Sequence, residues 1–314
     1  MKDMSEAPTG GILKSADGQR AGFVALIGAP NAGKSTLLNQ MVGSKVAIVT
    51  HKVQTTRSRL RGIAIEGQSQ LVFVDTPGIF RPRRRLDRAM VQAAWGGAED
   101  ADLVVLLVDA QRGLTEEVEA ILKGLQDVRR PLLLALNKID LIRREELLVL
   151  AADINAKVPF AETFMISAEK GDGVADLRAY LAAHVPPGPW LYPEDQIADA
   201  PMRNLAAEVT REKLFLRLHQ ELPYQLTVET ESWKELKDGS ARIEQVIYVQ
   251  REAHKKILIG KQGATLKSIG AQARKELEEM LERRVHLFIF VKVREKWGDD
   301  PERYSQMGLD FPKE

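Results

Sequence analysis

The stretch Gly28-Ala29-Pro30-Asn31-Ala32-Gly33-Lys34-Ser35 decides the fold. It fits the pattern G-x-x-x-x-G-K-[ST] and follows Phe23-Val24-Ala25-Leu26-Ile27, an apolar run that reads as a buried strand. The residues after it, Thr36 to Met41, read as a helix. A strand, a glycine loop and a helix in that order are the context in which this pattern binds phosphate, because the loop amides and the helix N-terminus form an anion site. In that reading Lys34 reaches the β- and γ-phosphates and the Ser35 hydroxyl holds Mg²⁺. The loop alone specifies a nucleoside triphosphate and leaves the base open.

Outward from this loop, residues 21 to 184 alternate apolar runs with helical patterns, as expected of a mostly parallel sheet flanked by helices. Strands are predicted at Phe23–Ile27, Leu60–Ala64, Leu71–Val74, Leu103–Val108, Leu132–Leu136 and Thr163–Ile166, and helices at Ser35–Met41, Glu116–Leu125, Glu145–Asn155 and Val174–Ala183. Leu103–Val108 and Leu132–Leu136 are apolar throughout, as strands covered on both faces should be.

Three further segments follow predicted strands. Asp75-Thr76-Pro77-Gly78 follows Leu71–Val74; its carboxylate can join the Mg²⁺ shell through water, and Gly78 can approach a γ-phosphate closely. Asn137-Lys138-Ile139-Asp140 follows Leu132–Leu136. Asp140 can accept from both the N1–H and the exocyclic amine of guanine, donors that adenine lacks, so the pair discriminates strongly. Asn137 can support the loop and the base edge, and the Lys138 stem can pack over the ring. Ser167-Ala168-Glu169-Lys170 follows Thr163–Ile166, and its amides can reach the guanine O6.

Thr55-Thr56-Arg57 supplies a switch element, whose hydroxyl can complete the Mg²⁺ shell in the presence of a γ-phosphate. Thr56 is favoured over Thr55, since it adjoins Arg57 and lies nearer the strand at Leu60. Arg57 itself reads first as a solvated switch residue and second as an arginine finger. In many GTPases a glutamine after the Asp-x-x-Gly segment orients water; here Ile79 stands in that place, so unaided hydrolysis should be slow. Asn31 is a candidate for holding a monovalent cation, such as K⁺, that offsets transition-state charge. Arg81, Arg83, Arg84 and Arg85 fall in a segment read as a mobile loop, open to phosphate backbones or an effector, or simply solvated.

The second half reads differently. Val185 to Pro193 contains four prolines and breaks the pattern. Beyond it a helix (Pro201–Leu222, with apolar spacing through Leu205, Val209, Leu214, Leu216 and Leu218), strands at Tyr224–Thr230 and Arg242–Val249, two helices around Gly260-Lys261-Gln262-Gly263, and a strand at Val285–Val291 give the order helix–strand–strand–helix–helix–strand. That order with that loop is an α+β, type-II KH domain: its glycines admit nucleic-acid phosphates, Lys261 adds charge, and an adjacent apolar groove receives unpaired bases. From Ala241 to Lys296 Lys and Arg outnumber Asp and Glu 13 to 7, while the rest of the chain is net −5. The basic part is the place for a polyanion.

Composition bounds the remainder. The chain is 44% apolar and 28% charged, ordinary for a soluble globular protein. It has no cysteine, which excludes disulfides and thiolate metal sites, and its five histidines show no metal-ligand spacing. No apolar run is long enough to span a bilayer. The N-terminal stretch lacks a signal core and reads as a disordered tail.

From Gly22 to about Leu309 the chain resembles the Era family of bacterial GTPases. The resemblance rests on the phosphate loop with Pro30-Asn31, on Gln54-Thr55-Thr56-Arg57, Asp75-Thr76-Pro77-Gly78, Asn137-Lys138-Ile139-Asp140, Glu221-Leu222-Pro223-Tyr224, Ile259-Gly260-Lys261-Gln262-Gly263, Val291-Lys292-Val293, and the absence of glutamine at Ile79. It implies an α/β P-loop GTPase domain (21–186), a Pro-rich linker (187–200), a type-II KH domain (201–298) and a C-terminal tail (299–314), preceded by a tail (1–20) with no counterpart in the family. It further implies Mg²⁺ with GTP or GDP, binding to the 3′ end of small-subunit rRNA, a role in small-subunit assembly, and a cytoplasmic monomer peripherally associated with the inner membrane. Rival readings are a signalling switch, which leaves the GxxG module unexplained, and a metabolic GTP-consuming enzyme, for which no second-substrate group is visible.

Overall fold

β1 (Arg20–Gly28) lies inside a six-stranded sheet in the computed structural model, which describes residues 18–52, 55–57, 60–82, 84–295, 297 and 300–312, with backbone alone at 302, 303 and 306. The expected tail therefore lies outside the described residues up to Asp17, and the first strand already begins at Arg20. Around β1 the sheet order is β2 (Leu60–Glu66), β3 (Ser69–Asp75), β1, β4 (Leu103–Asp109), β5 (Leu132–Asn137) and β6 (Glu162–Ile166). Only β2 runs antiparallel, joined to β3 by a tight turn; the other neighbours are parallel.

The helices are α1 (Lys34–Val42), α2 (Arg85–Asp100), α3 (Glu116–Leu125), α4 (Arg144–Asn155) and α5 (Val174–His184). They cover both faces of the sheet, and alternate residues of one strand feed two cores. Val105 and Leu107 of β4 pack with Leu37 and Met41 of α1 and Leu177 and Leu181 of α5. Val104, Leu106 and Val108 pack with Ala94 and Ala98 of α2, Ile121 of α3 and Ile154 of α4. This is why β4 and β5 carry no polar alternation.

α2 departs from the expected mobile loop. Arg84 is its N-cap and Arg85 its first residue; the Arg84 N–H donates to Asp87 Oδ2 at 3.0 Å, closing a capping box. Arg83 lies outside the described residues.

The second unit contains α6 (Met202–Arg217), β7 (Leu226–Glu235), β8 (Ala241–Val249), α7 (Glu252–Ile259), α8 (Ala264–Leu281) and β9 (Val285–Val293). The order of elements is the expected one, but α6 stops at Arg217, a 3₁₀ turn at Leu222–Gln225 precedes β7, and Leu216 is exposed. β7 pairs antiparallel and β9 parallel with the central β8. Val209 and Leu214 of α6 and Ile269, Ala273 and Leu277 of α8 pack on this sheet.

Two connecting segments are more than tethers. The Pro-rich stretch lies along the sheet edge: Gln70, wholly buried, accepts from the amides of Leu191 and Tyr192 and donates to the Tyr192 carbonyl at 2.8 Å. Ala198 bridges Gly62 of β2. The C-terminal segment expected as a tail instead forms α9 (Pro301–Gln306) and returns to the first domain. Tyr304 and Leu309 bury themselves with Ala89, Met90 and Ala93 of α2, and Phe311 meets Tyr304 edge-on at 4.9 Å. An apolar ring with this burial outweighs the polar sequence around it. Tyr304→Ala should therefore destabilise the protein by about 3 kcal/mol, read as a lower urea midpoint; an unchanged midpoint would show that this packing contributes nothing.

Candidate functional site

The motif segments meet at the C-terminal edge of the parallel strands, where an open α/β sheet binds its ligand. Gly28 ends β1 and its carbonyl accepts from the Ile79 amide at 3.0 Å, joining the phosphate loop to the segment after β3. Gly33, at φ 99°, caps α1; a Cβ there would lie 2.2 Å from Asn137 Nδ2. Lys34 is buried, and its ammonium donates to the carbonyls of Gly28 and Ala29, both at 3.1 Å. Loss of hydration pushes its pKa down to about 8, with Asp75 opposing. A cavity of about 420 Å³ opens over the loop, bordered by Pro30, Asn31, Lys34, Gly78, Lys138 and Glu169. Ala32 is buried below it.

Three oxygen-bearing side chains converge beside Lys34. The Ser35 hydroxyl donates to Asp75 Oδ2 at 2.9 Å, Thr56 Oγ1 donates to the same oxygen at 3.2 Å, and the two hydroxyls are 3.0 Å apart. Thr55 turns away, donating to the Lys52 carbonyl at 2.7 Å. Gln54, part of the same motif, lies outside the described residues. Asp75 is fully buried, its Oδ1 has no hydrogen-bond partner, and burial raises its pKa against the pull of Lys34. Hard oxygens with one buried acceptor unsatisfied fit a hexacoordinate divalent cation that also takes phosphate oxygens. Thr76 serves the scaffold: its hydroxyl donates to the Leu26 carbonyl at 2.7 Å, and Pro77 is buried beside it. Ile79 belongs to the core, so no side chain there can orient water.

On the base side Asn137 joins two loops. Its Nδ2 donates to the Ala32 carbonyl at 2.8 Å and its Oδ1 accepts from the Ala168 amide at 2.9 Å. Asn137 thus braces the two loops, as expected, and the Ala168 amide is engaged in that brace. Lys138 adopts φ 65° and its ammonium pairs with Asp109 Oδ2 at 2.5 Å, which fixes the stem along the cavity wall. Asp109 escaped the sequence reading; its position at the C-terminal end of an all-apolar strand was the available signal. Asp140 is held ionised by a hydrogen bond from Ser167 and by Lys170, whose Nζ is 3.2 Å from Oδ2.

Arg57 corrects an expectation. It is not solvated but 3% exposed, and it points away from the cavity into the second domain. Nη1 donates to the Leu226 carbonyl at 2.7 Å and Nη2 to that of Pro223 at 3.2 Å, with the rings of Phe215 and Trp297 at 5.6 and 5.7 Å. Burial, with Arg211 nearby, pushes its pKa down to about 9. Asn31, at φ 64°, donates to the His51 carbonyl at 2.9 Å, so the loop candidate for a monovalent cation sits against the switch backbone.

In the second domain Gly260 adopts φ 73°, Gln262 φ 52° and Gly263 φ 78°, and Gly263 caps α8. A Cβ at Gly260 would lie 2.2 Å from the Thr265 hydroxyl. Lys261 and Gln262 are exposed at the tip, ahead of the α8 N-terminus, a favourable place for a phosphate. A groove of about 610 Å³ beside it is lined by Leu222, Gln225, His254, Ile257 and Thr265.

A guanine-selective P-loop site on one domain and a GxxG loop on a KH fold define a GTPase carrying a nucleic-acid-binding module. A family model described as 50S ribosome-binding GTPase matches residues 23–138, and one described as KH domain matches residues 221–298. The chain is 67% identical to GTPase Era of Rhizobium meliloti, over 94% of each chain, and 67% identical to GTPase Era of Dinoroseobacter shibae, over 96% of this chain and 98% of that one. It superimposes with a TM-score of 0.86 and 38% identity on a tyrosine-to-alanine variant of Aquifex aeolicus Era bound to GDP·AlF₄⁻, covering 92% of this chain and 99% of that one. The same values hold for an Era solved with MgGDPNP and nucleotides 1506–1542 of 16S ribosomal RNA. The chain belongs to the Era family of GTPases.

If Asp140 selects the base, Asp140→Asn presents an amide donor where guanine also donates. Affinity for guanine nucleotides should fall at least about a hundredfold, while xanthine nucleotides, which carry a carbonyl there, gain affinity; fluorescence titration of both measures the exchange.

Proposed function

We propose that this GTPase is a switch that binds the 3′ end of small-subunit rRNA through its KH domain and assists assembly of the small ribosomal subunit. One observation carries the reading: a guanine-nucleotide site and an exposed GxxG loop occur in one chain whose relative was solved with a 16S rRNA fragment. The local excess of positive charge supports a polyanionic partner. The same reading takes the protein as a cytoplasmic monomer with peripheral membrane contact, made by a surface, since no described helix is long and apolar enough to cross a membrane.

In the proposed reaction water attacks the γ-phosphorus, the bond to the β–γ bridging oxygen breaks, and GDP and phosphate leave. Lys34 exchanges its two carbonyl partners for phosphate oxygens, so its charge is held in place before substrate arrives. Ser35 and Thr56, whose hydroxyls converge on Asp75, would hold Mg²⁺ together with that carboxylate. Bound there, Mg²⁺ would neutralise charge on the β- and γ-phosphates. Gly78 borders the γ-phosphate end, and Pro30, Ala29 and Ala32 shape the loop around the phosphates. Asp140 reads guanine while Asn137, Ser167 and Ala168 hold its loop. Because Ile79 cannot orient water, the cycle is slow until something else assists, which suits a timer: GTP orders the switch, and hydrolysis releases it.

Asn31 is the candidate assistant, as a K⁺ holder against the switch backbone. Hydrolysis should run several-fold faster in K⁺ than in Na⁺ at equal ionic strength, and Asn31→Ala should abolish the difference; equal rates in the two salts would remove the role.

The RNA reading is tested by Lys261→Asp with Gln262→Asp, which reverses charge at the tip without the Thr265 collision that a side chain at Gly260 entails. Affinity for a single-stranded rRNA 3′ tail should fall at least about tenfold and its salt dependence should flatten. Retained affinity would exclude the GxxG loop as the reader.

A further inference from the structure

The switch segment is gripped from the KH side along its length. Val49 N–H donates to Glu212 Oε1 at 2.8 Å, Lys52 Nζ donates to the Phe215 carbonyl, and the Thr55 carbonyl accepts from Arg211, itself paired with Glu208. Arg57, like Arg211, is almost wholly buried. Two of its nitrogens donate to carbonyls that bracket the start of β7, and two aromatic rings flank its guanidinium. The residue before it, Thr56, is the one whose hydroxyl meets Ser35 and Asp75. Consecutive Cα atoms are only about 3.8 Å apart, so neither residue can leave its place without disturbing the other.

We propose that Arg57 is a positioning residue through which the KH domain holds Thr56 at the metal side of the nucleotide site. Its geometry excludes an arginine finger, since the guanidinium is buried away from the cavity, with Nη1 and Nη2 held by the carbonyls of Leu226 and Pro223 and Nε without a partner. The KH domain thereby completes the triphosphate form of the site while contributing no atom to it. Linkage requires the converse as well: a γ-phosphate that fixes Thr56 favours this docking of the KH domain, and a partner that displaces the KH domain loosens Thr56. The proposal rests on Thr56 acting as a ligand of the triphosphate state.

The test uses the full chain and compares affinities for a non-hydrolysable GTP analogue and for GDP, with Mg²⁺ varied. Arg57→Ala should lose about tenfold in analogue affinity and require more Mg²⁺ to bind it, while GDP, which does not engage Thr56, binds as before and reports an intact fold. Arg57→Lys, which keeps a charge but not the planar fork, should recover part of the loss. Trp297→Leu, in the KH domain, should reproduce the selective loss, and the double variant should add little to either. Equal losses for both nucleotides, or none for the analogue, would overturn the proposal. Thr56→Ala separates the two layers. If it too leaves the analogue unaffected, the ligand role of Thr56 fails and the proposal with it. If it loses analogue affinity while Arg57→Ala does not, only the coupling fails.

Discussion

A carboxylate buried at the end of β3 sets the terms for the rest of the molecule. Asp75 has lost its water, and a buried charge must be met by partners or be neutralised. Lys34 supplies the opposite charge from the phosphate loop, and Ser35 and Thr56 supply hydrogen bonds from α1 and the switch. One oxygen remains unmet. The demand of that group draws three separate segments together and makes the site responsive to a divalent cation. Through Thr56 the same demand reaches Arg57 and the second domain.

The junction between the domains is mostly polar. Lys45 and Lys213 share the carboxylates of Glu212 and Glu276, and Arg84 meets Glu221 at the surface. Exposed pairs such as Arg84 with Glu221 contribute little individually and weaken with salt. Buried and bracketed by carbonyls, Arg57 is of another kind, because displacing it strands polar groups on both sides. The junction therefore combines a screenable rim with buried contacts, Arg57 among them, that are either made or broken.

Much of this could be read from the chain. The nucleotide loops were legible because each motif is local and follows a strand that is apolar on both faces, as in Leu103 to Val108. The KH unit was legible because Gly260 and Gly263 sit between two helical patterns. The illegible parts share a physical cause, which is dependence on distant partners. α2 presents small residues (Ala89, Ala93, Ala94, Ala98) rather than a leucine stripe, and its Gly96-Gly97 pair argues against a helix until the packing is seen. Arg57 and Gln70 are polar residues buried by segments more than a hundred positions away. Tyr304, Met307, Leu309 and Phe311 fall at an irregular spacing in a short segment, so no helical period announces their burial.

Besides the side-chain contacts of the junction, the return of Tyr304 and Leu309 to α2 gives the KH domain a mooring on the GTPase domain at each end of its sequence. The first is Ala198 on β2; the second lies beyond β9, on a different element. A body fixed at one point can tumble, but a body fixed at two can only turn about the line between them. Once the side-chain contacts of the junction let go and while both moorings hold, the orientations open to the GxxG loop form an arc rather than a cone. A wider excursion first requires an apolar cluster to be peeled from α2, so the range of the swing is set at a place remote from both ligands.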